Sequence, residues 1–280
     1  MRLASTEKDP AFNVDKEIAL RVLTTQHERQ QNAEISFLSC FRGTDLRRTL
    51  IVMGCYCITV LSGSTVRAYA TYFFQQAGLD TEQSFNMSIG LYALGLLGLL
   101  GTWLLMPYFG RRTIFFWGQA VQTVLLLIVG GLGVAQRHAS KSDSSLAWAI
   151  GLLLLLSSFV ANLAISPILY ALVSEIPSSL LRNKSVVLAR FSYAVLNVVA
   201  NVITPYQLNP SAWNWRASAD LFWAGACLLG TVFTYFSVPE PKDRTIAELD
   251  LLFERGVSAR EFADTEVSVR DIVDGAEKLE

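Results

Sequence analysis

The sequence predicts an all-α protein that crosses a membrane six times. Three observations carry this expectation. Residues 1–48 hold 15 of the 47 Asp, Glu, Lys and Arg and residues 239–280 hold 18, which leaves 14 for the 190 residues between them; a soluble domain carries about 25% charged residues throughout. That middle stretch divides into six apolar runs, each near the roughly 20 residues a membrane helix needs. Lys and Arg also concentrate on alternate connections, as they do in the short cytosolic loops of membrane proteins. A nearly uncharged stretch of this length excludes soluble enzymes and nucleic-acid readers.

Residues 1–48 form a polar flank, expected in the cytosol. Met1 opens a charged stretch rather than a signal peptide, and the first apolar run begins near Leu50. Within the flank, residues 13–34 are good helix formers. Val14, Ile18, Val22 and Ile35 are roughly in phase, so an amphipathic helix near the membrane is expected. The membrane region spans 49–238, with helices at about 50–74, 85–109, 114–135, 146–174, 186–206 and 220–238. These runs are long, rich in Leu, Ala and Gly, and lack the alternation of barrel strands. Residues 239–280 form an acidic cytosolic tail in which 12 Asp and Glu meet 6 Lys and Arg. It opens on Pro239 and Pro241, continues with a short helical pattern over 246–255, and reads as frayed over its last twenty-five residues.

With the N-terminus in the cytosol, the inner edges carry Arg42, Arg47, Arg48, Arg111, Arg112, Arg182, Lys184, Lys242 and Arg244. The outer connections carry Arg137, Lys141 and Arg216. This bias of nine to three places both termini inside. Cys40, Cys55, Cys57 and Cys227 show neither disulfide nor zinc spacing and read as small apolar fillers. His27 and His138 have no metal-ligand partner at a suitable spacing, and no Gly-rich loop carries the Lys of a nucleotide site. The chain is therefore not expected to be an enzyme or to hold a cofactor or metal.

Polar residues at helical spacing inside apolar helices mark an inward face. The first helix has Thr59, Ser62, Thr65, Tyr69 and Tyr72. The fourth has Asn162, Ser166, Tyr170 and Ser174, and the fifth has Tyr193, Asn197 and Asn201. Residues four apart sit almost above one another, so each stripe is a ladder of hydroxyls and amides. Such groups both donate and accept, which suits the hydroxyls of a sugar. The stripes read as a cavity for a polar, uncharged solute, with interhelical hydrogen bonding as the alternative. Gly90, Gly95, Gly98 and Gly101 in the second helix read as close packing. Pro167 breaks the fourth helix, as a gate or as a tolerated kink. Arg67 lies about 26 Å along its helix at 1.5 Å per residue and is read as snorkelling to the outer interface, off the stripe. Glu175, at the cytosolic end of the fourth helix, is close in depth to Arg111, Arg112 and Arg182 and could latch helices together.

The motifs SFLSCFRGTDLRRT (36–49), LSGSTVRAYATYFFQQAGL (61–79), FNMSIGLYALG (85–95), FGRRT (109–113), ALVSEIPSSLLRNKSVVLAR (171–190), TPYQLNPSAWNW (204–215) and PEPKDRTIAELDLLFERGVSAREF (239–262) carry a family resemblance. From about residue 15 to 265 the chain resembles the C-terminal half of a major facilitator superfamily sugar porter, of the fungal maltose-type (α-glucoside) proton symporters. The resemblance implies an alternating-access carrier of twelve helices, of which these would be the last six, in the plasma membrane. Residues 1–48 would then be the end of the cytosolic linker between halves.

The resemblance also implies sugar contacts at Thr59, Thr65, Tyr69, Asn162, Tyr170 and Asn201. It implies an inner latch of Gly110, Arg111 and Arg112 with Glu175 and Arg182. Two departures stand out. The family has a pair of amides where this chain has Thr59 and Val60, and an acidic residue often found before the Gly-Arg-Arg loop is missing. The expected partners are an α-glucoside or hexose, the lipid bilayer, and an N-terminal six-helix half or a second copy, with no nucleic acid. A half alone is expected to be inactive. The alternative is a non-transporting sensor on the same scaffold.

Overall fold

The computed structural model describes residues 36–76, 80–138, 144–178, 181–262 and 265. The expected helix over 13–34 and most of the expected frayed tail lie outside them. Among the described residues no strand occurs, and six helices are long and apolar enough to span a membrane. They are α1 (Gly43–Ala68), α2 (Thr81–Leu105), α3 (Arg111–His138), α4 (Ser145–Glu175), α5 (Arg182–Leu208) and α6 (Arg216–Ser237). A short helix, Ala70–Gln76, prolongs α1. Beyond α6 the chain turns back into α7 (Ile246–Glu254), which begins at a capping box. The Thr245 hydroxyl accepts from the Glu248 backbone N–H, and the Glu248 carboxylate accepts from the Thr245 N–H.

Helices are the form a chain can take in lipid because each satisfies its own backbone groups. Consecutive helices run antiparallel, so the starts of α1, α3 and α5 share one end of the bundle with the ends of α2, α4 and α6. This end carries most of the Arg and Lys and is called the basic end. Helix α6 packs on α3, α1 on α5, α2 on α4, and α3 on α4. The interior has two parts. Near the far end Val60, Phe74, Leu126, Ile150 and Trp223 pack together. Near the basic end Ile51, Phe115, Ile165 and Leu172 meet Phe253 and Phe262 from the returning tail. Lipid-facing positions are apolar, as on α2 with Leu96, Leu100, Trp103 and Leu104 exposed.

Glycines on α2 and α3 set how close the helices come. A Cβ on Gly98 would lie 2.6 Å from the Phe159 carbonyl oxygen of α4, so only glycine allows that approach. The close approach serves the break in α4. Pro167 has no N–H to give, and its ring displaces the carbonyl four residues back. That carbonyl belongs to Leu163, within the π-helical turn Ala161–Ile165. The Thr102 hydroxyl of α2 donates to it at 2.6 Å.

Thr102→Val should therefore leave a buried carbonyl without a donor and cost about 1–3 kcal/mol. Thr231→Val should cost less, because the Thr231 hydroxyl donates within its own helix, to the Cys227 carbonyl. Thermal unfolding of the two variants in the same detergent checks the difference.

Candidate functional site

Helix α1 is also broken, and the break shapes the site. Within the turn Val60–Ser64, Ser62 has ψ 16° and Gly63 has φ 77°, a left-handed conformation that suits glycine. The Ser62 carbonyl leaves the helical ladder. It accepts from Arg67 Nη1 at 2.9 Å and from Gln122 Nε2 of α3 at 3.1 Å. Gln122 also donates to the Ser157 hydroxyl of α4 at 2.7 Å, so three helices meet at the kink.

Beside the kink, between α1, α2 and α4, lies an open cavity of about 460 Å³. Ser64, Arg67, Tyr92, Gly95, Ser158 and Asn162 help to line it. Asn162 packs against Gly95 and donates from Nδ2 to the Ser158 carbonyl at 2.9 Å.

The other expected sugar contacts sit elsewhere. Thr65 is buried on a different flank of α1, its hydroxyl 3.0 Å from that of Thr204 on α5. Asn201, half-buried on α5, donates to the Asn197 carbonyl at 2.8 Å. Thr59 donates into its own helix, to the Tyr56 carbonyl at 2.8 Å. Tyr69 is half-buried and packs against the far-end core. Tyr170 is 57% exposed and meets the edge of Tyr56, which in turn meets Tyr193 of α5. The Arg190 guanidinium lies over the Tyr193 ring, 5.0 Å from its centre. The structure thus places Asn162 in the cavity wall, Thr65 and Asn201 along the α1–α5 seam, and Tyr170 in an aromatic group nearer the basic end.

At the basic end Arg111 and Glu175 pair at 3.4 Å, both half-buried. Arg112 points away from them and donates to the Tyr235 carbonyl at 2.8 Å. Buried Nε and Nη2 of Arg182 have no hydrogen-bond partner among the described residues. Gly110 lies under the Glu240 carboxylate, which a Cβ would meet. The tail closes over this end. Lys242 donates to the carbonyls of Pro107 and Tyr108 at 3.0 Å. Arg48 pairs with Asp250 and lies 4.4 Å from the Phe253 ring centre, and Arg47 donates to the Val257 carbonyl at 2.8 Å.

Residues 3–253 match the family model "Sugar (and other) transporter". The chain belongs to this family. It is 38% identical over 257 residues to an alpha-glucosides permease of Saccharomyces cerevisiae, covering 91% of this chain and 41% of the relative. It is 38% identical over 245 residues to a maltose permease of the same yeast, covering 87% and 39%. It is 39% identical over 262 residues to a general alpha-glucoside permease, covering 93% and 41%. The chain spans about two fifths of the length of these relatives. Family membership and six apolar helices make it an integral, multi-pass membrane protein of the sugar-porter family of the major facilitator superfamily, similar to maltose-type permeases.

Two polar groups of this family member escape a reading by stripes. Arg67 does not snorkel outward as expected. It bends back to the Ser62 carbonyl and lines the cavity. The kink explains the difference, because a left-handed Gly63 rotates the next turn out of helical phase. Asp220, at the predicted start of the sixth helix, is fully buried. A boundary residue of that kind carries no periodic signal. Gln122 is a different case, since Gln119, Gln122 and Thr123 share one buried polar face of α3 at helical spacing.

The pairs at the basic end should differ in weight. Asp250→Ala removes the partner of Arg48, whose side chain is 4% exposed, and should cost about 1.5–3 kcal/mol. Glu175→Gln, in a pair more open to water, should cost at most about 1 kcal/mol. Thermal unfolding gives both values, and hydrogen exchange over Ile246–Glu254 should speed up only in the Asp250 variant.

Proposed function

We propose that this chain is the C-terminal six-helix half of an alternating-access carrier for an α-glucoside or hexose. The observation that carries the reading is the uncovered polar face formed by α5 with parts of α1 and α4. Only 11% of the apolar window of α5 is buried. Along the same helix run Tyr193, Asn197 and Asn201, and beside it stands the exposed Tyr170. Amides and hydroxyls facing lipid are unfavourable by a few kcal/mol each when unpaired. A second six-helix half laid on that face would enclose them in a central cavity. The names of the relatives, maltose and alpha-glucoside permeases, support the sugar class.

Thr59, Thr65, Tyr69, Asn162, Tyr170 and Asn201 are the proposed sugar contacts. Gly110, Arg111, Arg112, Glu175 and Arg182 are the proposed latch, which holds the cytosolic side closed in one conformation. The basic end is the cytosolic end, both termini lie there, and the plasma membrane is the proposed location. Residues 1–48, 49–238 and 239–280 serve as linker, membrane half and tail.

Alternating access needs two halves rocking about a site between them, so the chain alone should not transport. One observation favours a second reading, a non-transporting sensor: the Thr59 hydroxyl is turned into its own helix, at a position where the resemblance calls for an amide. A homodimer is the remaining way for this chain to transport, by setting two such faces opposite each other.

Purified protein in sealed vesicles with labelled maltose and glucose tests the reading. No saturable uptake is expected from the chain alone. Uptake should appear when an N-terminal six-helix half is co-expressed, and Asn201→Ala should abolish it. Saturable uptake by the chain alone, lost in Asn201→Ala, would favour the homodimer. Sugar binding without uptake in either setting would favour the sensor.

Accessibility tags check the orientation separately. Tags at 110 and 182 should report from the cytosol, and tags at 80 and 211 from outside. A tag at 110 reached from outside would invert the topology.

A further inference from the structure

Asp220 sits in the first turn of the helix Ala219–Ser237, inside the apolar interior, with no surface exposed. Neither carboxyl oxygen has a hydrogen-bond partner among the described residues. The kink of α1 packs against this helix, and Arg67, just past the kink, is the charged group facing Asp220, while its Nη1 hydrogen bond goes to the Ser62 carbonyl rather than to the carboxyl. A buried carboxyl in this setting has two stable arrangements. It can be neutral, leaving Arg67 free for the carbonyl, or it can be a carboxylate that draws Arg67 to itself.

We propose that Asp220 is a proton-binding site within the membrane, opposed by Arg67, and that its protonation controls the kink of α1. The arrangement in the structure is the protonated one. Asp220 carries the proton, and the Ser62 carbonyl has two donors, Arg67 and Gln122. When the proton leaves to solvent, the guanidinium turns to the carboxylate. The Ser62 carbonyl then keeps only Gln122, and the turn around Gly63 is free to straighten. One proton is bound or released per cycle, and no other covalent bond changes.

Few other titrating groups stand near the pair. The helix Ala219–Ser237 packs against α3, α1 and its kink, the turn Arg216–Ser218 and α5. Helix α1 contributes Arg67, its Asp45, Arg47 and Arg48 lying at the basic end and Cys55 and Cys57 on the basic-end side of the kink, and α6 itself contributes Cys227, which donates to the Gln119 carbonyl. Arg216 of the turn is exposed and donates to Asn214. Arg111 and Arg112 of α3, and Arg182, Lys184 and Arg190 of α5, belong to the basic half, away from Asp220. Arg137 and His138 end α3 on the same side as Asp220. A histidine titrates near neutral pH, so the test must separate His138 from Asp220.

The experiment uses the full chain in lipid nanodiscs without sugar, so its outcome does not depend on whether the chain is a sugar carrier. Infrared difference spectra across a pH titration should show the carbonyl stretch of a buried protonated carboxyl that disappears on the alkaline side. Asp220→Asn should remove the band, and His138→Gln should leave it. Arg67→Gln should hold the band to more alkaline pH, because the carboxylate has lost its counter-ion. A merely structural role for Arg67 would not move it.

Spin labels at Leu50 and Tyr72, both exposed on either side of the kink, should change separation with the same midpoint. In Asp220→Asn they should stay at the acidic separation at every pH. Should that variant fail to fold, the unsubstituted chain carries the test. An apolar carbodiimide should modify Asp220, located by mass spectrometry, with a yield falling about tenfold for each pH unit beyond the midpoint. A band unaffected by Asp220→Asn, a label separation indifferent to pH, or carbodiimide modification of Asp220 independent of pH would each overturn the proposal.

Discussion

Ser62 breaks the hydrogen-bond ladder of α1, and in a membrane a freed carbonyl must find a donor inside the protein. It finds two, Arg67 from its own helix and Gln122 from α3. Much of the bundle depends on this requirement. Gln122 can reach the carbonyl because α3 lies against both α1 and α4, and it draws Ser157 of α4 into the same network. The break in α4 is met the same way. Pro167 frees the Leu163 carbonyl, Thr102 of α2 supplies the donor, and Gly98 lets α2 come near enough. Each irregular turn is thus stabilised by a neighbouring helix, and the two breaks flank one cavity. Backbone irregularity at membrane depth is tolerated where protein or a cavity surrounds it, which makes broken helices natural walls for a solute site.

The interior is not covered equally on all sides. Helices α1, α3 and α6 bury much of their surface, whereas α5 buries little. Its outward face mixes Phe191, Val195, Val198 and Val202 with the Asn197 and Asn201 ladder. A purely lipid-facing helix has no use for that ladder, and a purely structural seam would be buried by its own bundle. This exposed ladder is the feature on which the proposed second six-helix half rests. At the basic end the returning tail supplies what the loops cannot. Phe253 and Phe262 fill the space beneath Arg47 and Arg48, and Asp250 balances a guanidinium that would otherwise be buried alone.

Charge inside the membrane is scarce and each instance has a place. Arg67 and Asp220 lie between α1 and α6, and Arg111 and Glu175 between α3 and α4. Removing one member is costly where the other stays behind in a low-dielectric setting, and less so at the more open Arg111–Glu175 pair. Charges of this kind therefore report which helices stay together and which can move.

The amino-acid sequence by itself determined the six helices, the basic and acidic flanks, and the short helix of the tail. Helical spans are set by composition, since lipid leaves a long apolar run no other way to satisfy its backbone. The ends moved by only a few residues, as in α2, expected over 85–109 and found at Thr81–Leu105. The family was also legible, because its motifs lie in order at the helix ends. What the polar stripes could not show is where each side chain points after a break in phase. Spacing treats a helix as continuous, but the left-handed Gly63 turns Arg67 inward, and the same break separates the surroundings of Thr59 from those of Thr65. Asp220 had no periodic partner to announce it, and the spacing of Gln119, Gln122 and Thr123 marks a polar face of α3 without showing which backbone group Gln122 meets. The roles of Asp220 and Gln122 exist only where α3 and α6 close around the kink of α1, and that closure is decided by tertiary packing, which no local pattern encodes.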